Sequence, residues 1–375
     1  MTGLRRYRRR LPAAALLLLA VPAAAAAGLP DLDHRIGRML VVGFRGLEAG
    51  PDSAIAGIIR RHHIGGVILF DRDVPSGSAT RNIRSPRQLR RLTRQLQAAA
   101  PYPLLIAVDQ EGGRVTRLGP DHGFRAGPSA ATLGRRPVAA TREAAAAAAR
   151  QLRAEGINWN LAPVVDLAVD PDNPAIARLD RSFGATPERV TARAAAVVRA
   201  HRRAGVRTAL KHFPGQGSAR GDTHRGVVDI TASWRRRELV PYRSLIRQDL
   251  ADSIMVGHLS HRGLDPDWPA SLSPAVVDGL LRGELGFHGV VVSDDLQMGA
   301  IRRRYGLRTV IRQALAAGND LLLFANNTVY QPDIAERAAN VMHSLVTSGE
   351  VSEARINRSY RRIRHFSRGL GGGRR

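Results

Sequence analysis

The sequence predicts an α/β fold, a single-domain (β/α)8 barrel of the TIM type. Three observations point there. Eight short, apolar, β-branched runs recur along the 375 residues. Helical stretches separate most of them. Charged or imidazole side chains repeatedly close the runs at their C-terminal ends.

The runs are MLVVGF (39–44), GVILF (66–70), LLIAVD (104–109), INWNLAPVVD (157–166), RTALKHF (207–213), SIMVGHL (253–259), GVVVSDD (289–295) and DLLLFAN (320–326). They are almost continuously apolar, as strands buried on both faces must be. Helices are predicted between them, over Pro86–Ala100, Pro137–Glu155, Pro187–Ala204, Arg235–Leu250, Ser273–Leu285 and Arg302–Ala317. Strand–helix alternation gives a parallel sheet. A count near eight favours a closed barrel over an open doubly wound sheet. In a barrel, chemistry gathers where strands meet the loops that follow them. The runs here end in Asp109, Asp166, Lys211–His212, His258 and Asp294–Asp295. One such end reads as a loop cap. Five at equivalent places converge on one mouth.

Composition sets further bounds. Aromatic residues are only 5% of the chain, so alanine, valine and leucine must fill the core. The net charge is +25, and Lys211 is the only lysine among the 57 lysine and arginine residues. Such a charge attracts polyanions. The arginines are dispersed rather than bunched, however, which is the pattern of a solvated surface. Arg5, Arg6, Arg8, Arg9 and Arg10 precede an apolar run, Leu11 to Ala27, that ends in small residues. This is the layout of a signal peptide over residues 1–27. It predicts export to a periplasmic or extracellular space, with an uncleaved anchor as the alternative. A catalytic barrel is expected over 31–367 and a flexible basic tail over 368–375. There is no cysteine, which excludes disulfides, thiolate metal sites and a cysteine nucleophile. No glycine-rich phosphate loop follows a strand and no HExxH occurs. Neither a cofactor nor a metal is therefore expected. The adjacent His62–His63 pair reads as a helix end.

Three segments carry chemistry. In AVDQEGGRVTRL (107–118), a strand ends at Asp109 and arginines follow two glycines. A carboxylate there can accept hydrogen bonds from vicinal hydroxyls, and an arginine fork can clamp neighbouring ones. An internal Asp–Arg pair is the plainer alternative. In KHFPGQGSARGDTHRG (211–226), Lys211 and His212 close a strand and a glycine-rich loop carries Asp222 and His224. Asp222 can accept the ring N–H of His224, which orients the imidazole and raises its basicity. In GVVVSDDLQMGA (289–300), adjacent side chains point oppositely, so one of Asp294 and Asp295 faces the axis. That carboxylate can attack an anomeric carbon. The other can cap the helix that follows.

These segments resemble glycoside hydrolase family 3. VDQEGGRV, LKHFPGxG with a following D-T-H, and VSDDLQM are similar to its signatures, over roughly residues 33–365. The Asp-x-His loop narrows the resemblance to the NagZ-type β-N-acetylhexosaminidases. It implies Asp294 as nucleophile, His224 as general acid/base and Asp222 as its partner. It implies sugar binding by Asp109, Arg117, Arg181, Lys211 and His212. The expected reaction is exo-acting and retaining, releasing terminal β-N-acetylglucosamine from carbohydrate such as peptidoglycan fragments. Another sugar specificity, phosphorolysis, and a non-catalytic polyanion-binding barrel are the alternatives. A monomer is expected, with weak electrostatic association to anionic envelope polymers and no specific nucleic acid. Two departures stand out. Gln216 replaces a histidine of the pattern, and Ser218–Gly221 replaces an acidic start of the loop.

Overall fold

A computed structural model describes residues 28–370. The predicted signal segment, 1–27, lies outside the described residues, as do positions 371–375 of the predicted tail.

Eight parallel strands form one sheet: β1 Leu40–Gly43, β2 Gly66–Ile68, β3 Leu105–Val108, β4 Trp159–Asn160, β5 Arg207–Phe213, β6 Ser253–Val256, β7 Val290–Ser293 and β8 Leu322–Phe324. Their spatial order is β7-β6-β5-β4-β3-β2-β1-β8. The two ends meet through the parallel bridge Val292–Leu321. There the Ser293 amide donates to Leu321 O at 3.0 Å, and the Leu323 amide donates to Ser293 Oγ at 3.1 Å. The sheet is thus the predicted barrel. Helices follow the strands in turn: α1 Ala54–His62, α2 Pro86–Ala99, α3 Val138–Ala154, α4 Pro187–Arg203, α5 Val240–Arg247, α6 Ala275–Glu284, α7 Leu307–Ala317 and α8 Ile334–Thr347. Ser53 and Ser85 cap α1 and α2, accepting from Ala56 N and Gln88 N. Pro86 occupies the first turn, where a missing N–H costs nothing. His63 ends α1 in the left-handed region, at φ 50°.

Some boundaries differ from the sequence reading. The fourth run pairs regularly only over Trp159–Asn160 and touches β5 again at the Val164–Lys211 bridge. Pro163 lies between and has no N–H to offer the ladder. The stretch 235–250 winds first as a 3-10 turn, Arg236–Leu239, before α5. The stretch 302–317 is broken before α7, whose N-cap is Gly306. The helix α6 is wound with π geometry.

The interior is apolar, and its foot is sealed by one large ring. The Trp159 indole on β4 reaches past β5, and its N–H donates to Ser253 Oγ on β6 at 3.2 Å. A C-terminal helix, Glu353–Phe366, closes the foot below it. The Phe366 ring meets Trp159 edge-on at 5.6 Å.

The same helix is tied to the sheet closure by Asp320, whose side chain is fully buried. Its carboxylate accepts from Arg282 at 2.7 Å, Val291 N at 3.1 Å, Ser359 Oγ at 2.6 Å and Arg362 at 3.2 Å. Removing one member of such a cluster strands buried charge. Asp320→Ala should lower stability by about 3–5 kcal/mol in urea denaturation. A loss under about 1 kcal/mol would mean the closure is held elsewhere.

Candidate active site

The mouth of the barrel is a cavity of about 440 Å3 at the C-terminal strand ends. Asp109, Arg117, Arg181, Lys211, His212, His224 and Asp294 all line it. The predicted site residues therefore converge, with Asp222 one hydrogen bond behind His224. A larger cavity, about 680 Å3, opens at the opposite end between Arg207, Asp252 and Phe366. None of the predicted site residues lines it.

A buried charge network forms one wall of the cavity. Lys211 Nζ donates to Asp109 Oδ1 at 2.7 Å and contacts Glu111 Oε1 at 2.8 Å. Arg181 grips the same Glu111 with two bonds of 2.8 Å, Nε to Oε2 and Nη2 to Oε1. Burial works against the Glu111 charge. Arg181 and Lys211 overcome it and hold the carboxyl well below its usual range. Burial likewise disfavours the Lys211 ammonium, but Asp109 and Glu111 raise its pKa above the ordinary value. All three groups stay charged at any working pH. Arg117 approaches Asp71 and Asp109 at 3.7 and 3.8 Å, close enough for attraction but beyond hydrogen-bond reach.

Local sequence explains how these groups arrive. After β3, Gln110 accepts from the amides of Arg117 and Leu118, at 3.0 and 2.9 Å, and so folds a hairpin back over the mouth. Gly112 makes its turn, with φ 95°. A Cβ there would sit 2.3 Å from Pro128 O, so no larger residue fits. Asp180, at φ 57°, turns the chain just before Arg181.

His212 has its own carboxylate. Asp166, buried behind it, accepts from His212 Nδ1 at 2.8 Å and from Gln216 N at 2.8 Å. This carboxylate fixes Nδ1 as the protonated nitrogen. The other nitrogen, Nε2, faces Arg181 at 3.4 Å. His258 is buried beside the site. Its Nε2 meets Asp295 O at 2.8 Å, and a carbonyl can only accept. Burial lowers the His258 pKa, and Asp294 pulls the other way.

Asp294 and Asp295 are adjacent but separate in character. Burial again opposes the charge of Asp294, yet His258, His212 and His224 draw its pKa below the usual carboxylate value. Its Oδ1 accepts the Asp295 amide at 2.8 Å. Burial pushes Asp295 up to about 6. Asp295 Oδ1 accepts from Gln297 N at 3.1 Å and Ala325 N at 2.9 Å, tying β7 to β8. It caps a turn and a neighbouring strand end rather than the expected helix. Environments that push two carboxyls apart assign them different tasks.

The Asp222–His224 dyad forms within its loop. His224 Nδ1 lies 2.7 Å from Asp222 Oδ1, which also accepts the His224 amide at 2.9 Å. The His224 side chain remains 63% exposed, leaving Nε2 open to the cavity. Asp222 raises the His224 pKa above its ordinary value against the effect of burial, with help from Asp294. The hydrogen bond with His224 in turn lowers Asp222 to about 2. The loop tip packs on the segment after Asp294, where Ala300 N donates to Thr223 O at 3.2 Å.

The profile of the glycosyl hydrolase family 3 N terminal domain matches residues 31–366. The chain belongs to glycoside hydrolase family 3. Among its relatives in this family, beta-hexosaminidase LpqI of Mycobacterium tuberculosis is 37% identical over 357 residues, covering 91% of this chain and 84% of that protein. The beta-hexosaminidase of Tolumonas auensis is 38% identical over 276 residues, 72% of this chain and 78% of its own. A family 3 β-N-acetylglucosaminidase from Paenibacillus sp. str. FPU-7 superposes with a TM-score of 0.84 at 36% identity. That match covers 92% of this chain and 64% of the other, so the present chain spans under two thirds of that longer enzyme.

The network also reveals a residue the sequence reading left without a role, Glu111. Charge balance could have found it. Lys211 and Arg181 were both placed at the mouth with Asp109 as the one assigned acid beside them, and buried cations require counter-charges. Lys211→Arg should raise KM or lower kcat, with kcat/KM falling on the order of tenfold or more, because a planar fork replaces a compact ammonium. Steady-state kinetics check this. Unchanged constants would make the lone lysine a coincidence of composition.

Proposed function

We propose that this family 3 barrel is an exo-acting, retaining β-N-acetylhexosaminidase that hydrolyses terminal β-N-acetylglucosamine with Asp294 as nucleophile and His224 as acid/base. One observation carries the reading: an ionised carboxylate and an oriented imidazole face the same cavity. The relatives named for hexosaminidase activity, matched along most of their length, supply the sugar class.

The chemistry follows in two balanced steps. Asp294 attacks the anomeric carbon while His224 Nε2–H protonates the departing glycosidic oxygen. A glycosyl–Asp294 ester and a neutral imidazole result. His224 then takes a proton from water as the water oxygen attacks the same carbon. The ester bond breaks, Asp294 leaves as carboxylate, and the configuration is retained. Asp222 stays ionised throughout and holds the imidazole tautomer. The remaining hydrogen-bonding groups of Asp109, Arg117, Arg181, Lys211 and His212 would read the sugar hydroxyls.

The aglycone is proposed to be a peptidoglycan fragment. Beyond the catalytic cavity its wall leads to a cleft whose charged lining is Arg72, Arg114 and Arg117 against Asp71 and Asp121, a net positive balance that suits a carboxylate-bearing aglycone. Export follows from the signal-like segment over 1–27, and N-terminal sequencing of protein recovered outside the cytoplasm checks it. Association with anionic envelope polymers through the arginine-rich surface would be electrostatic and salt-sensitive. A monomer is proposed, and light scattering of the purified protein checks it.

Three measurements test the reading. Chromogenic β-N-acetylglucosaminide should be cleaved with kcat/KM at least about a hundredfold above the β-glucoside and β-xyloside, since a site built around a polar substituent rejects analogues lacking it. Comparable turnover of all three would point to another sugar specificity. His224→Ala should lose about 10²–10⁴ in rate on poor leaving groups and far less on dinitrophenyl glycosides. Equal losses would remove His224 from the acid role. The pH profile supplies the third test. The carboxylate of Asp222 stabilises the imidazolium, so His224 titrates higher than a free histidine and activity falls as pH rises through that value. Asp222→Asn removes the stabilisation, and the alkaline limb of kcat/KM should move to lower pH. A limb that stays or moves upward would contradict the dyad.

A further inference from the structure

The acid/base loop, residues 214–226, leaves the end of β5 and must hold His224 at a defined reach from Asp294. Its root is unusually well tied for a glycine-rich segment. Gln216 N donates to Asp166, and Asn173 Nδ2 donates to Gln216 O at 2.6 Å. Asn173 Nδ2 also donates to Gly217 O at 3.1 Å, and Trp234 Nε1 donates to Pro214 O at 3.1 Å. Two further ties go to one carboxyl from outside the mouth. Glu238, on the turn before α5, accepts Gly217 N at 3.0 Å through Oε2 and Ser218 Oγ at 2.6 Å through Oε1. It is buried, at 2% exposure. The fit around it is close. A Cβ on Gly215, whose φ is 128°, would sit 2.7 Å from Glu238 Cβ.

We propose that Glu238 is a positioning residue of the reaction: its carboxyl fixes the root of the acid/base loop and thereby sets the reach of His224 toward the glycosidic oxygen. The residue lines no part of the catalytic cavity and touches no reacting group. Its effect passes along the backbone from Ser218 to His224. Misplacing a proton donor by about 1 Å is enough to cost rate. The inference rests on His224 being the acid, as argued above.

The chemistry of the anchor supports this role. Ser218 stands where the family pattern starts the loop with an acid. A hydroxyl can donate to Glu238 when the carboxyl is ionised and accept from it when it is protonated. A second carboxylate at that place could not do so without sharing a proton. Burial pushes Glu238 up to about 7, and Asp166, the charged group facing it, adds to the rise. From α5 the Tyr242 hydroxyl faces both carboxyls, buried and, among the described residues, without a hydrogen-bond partner. No cation figures among the main influences on Glu238. The sign for stability follows from a raised pKa. The contribution of Glu238 is fully present below its unfolded value and is lost as pH rises through about 7.

The test is a split by leaving group. For Glu238→Ala, kcat/KM on an alkyl β-N-acetylglucosaminide, which needs the acid, should fall on the order of tenfold to a hundredfold. On the dinitrophenyl glycoside, which does not, it should stay within about threefold. Glu238→Gln keeps an acceptor for Gly217 and a donor for Ser218, so it should restore the alkyl substrate to within about threefold of wild type. Ser218→Ala, which removes one tie and leaves the core intact, should give the same split on a smaller scale if Glu238→Ala fails to fold. Equal losses on both substrates, or no loss in Glu238→Ala and Ser218→Ala, would overturn the proposal. The two readings remain separable. A leaving-group split in His224→Ala but none in Glu238→Ala or Ser218→Ala defeats the anchor alone, whereas no split in His224→Ala defeats the acid assignment itself.

Discussion

A carboxylate held between two cations organises the mouth of this barrel. Glu111 comes from the hairpin after β3, Arg181 from the loop after β4, and Lys211 from the end of β5. Each would be costly to bury alone, because an unpaired charge in the interior loses its water without replacement. Together they form a rigid plate across three successive strand ends. Asp109 extends it by one further contact with Lys211. In this plate Glu111, Lys211 and Arg181 keep their charges near neutral pH. It also accounts for the single lysine. Arginine replaces lysine everywhere else in the chain, but here one ammonium must touch two carboxylates from a narrow space.

The second constraint is the division between the fixed and the loop-borne parts of the chemistry. Asp294 sits at the end of β7, where its neighbour Asp295 ties the strand to β8. Three histidines around Asp294 favour its anionic form, while burial leaves Asp295 partly protonated near neutrality. The proposed nucleophile is thus built into the barrel. The proposed acid/base, His224, is carried on a loop, exposed, and tuned by a partner two positions away. Such a loop must be secured at its ends. Asp166 and Glu238 serve at its root and Ala300 at its tip. Placing the acid on a loop gives it access to differing leaving groups. The cost is a dependence on anchors that lie outside the pocket.

Much of this was legible in the sequence. The eight apolar runs and their charged ends pointed to the barrel and its mouth, because burial on both faces and strand-end chemistry leave direct traces in residue order. The Asp222–His224 pair was legible because its geometry is local, with only Thr223 between carboxylate and imidazole. What escaped detection is long-range. Glu111 stands inside a quoted motif, yet its partners lie 70 and 100 residues away. Glu238 follows three arginines on an apparently ordinary helix start, and only folding sets it beneath the loop. Pro163 was visible, but its effect on β4 required knowing which neighbour it would have paired with. Asp295 was read as a helix cap, since sequence could not reveal that β8 would present Ala325 N to it.

The central claim is that Asp294 attacks the sugar. A 5-fluoro N-acetylglucosaminyl fluoride keeps the 2-acetamido group, slows the second step and leaves the ester in place. Intact-mass and peptide mass spectrometry of the treated enzyme tests the claim most directly. The account predicts one added sugar per chain, on the peptide carrying Asp294, and none in Asp294→Ala. A label on Asp295 or elsewhere, or turnover with inverted configuration and no adduct, would contradict it.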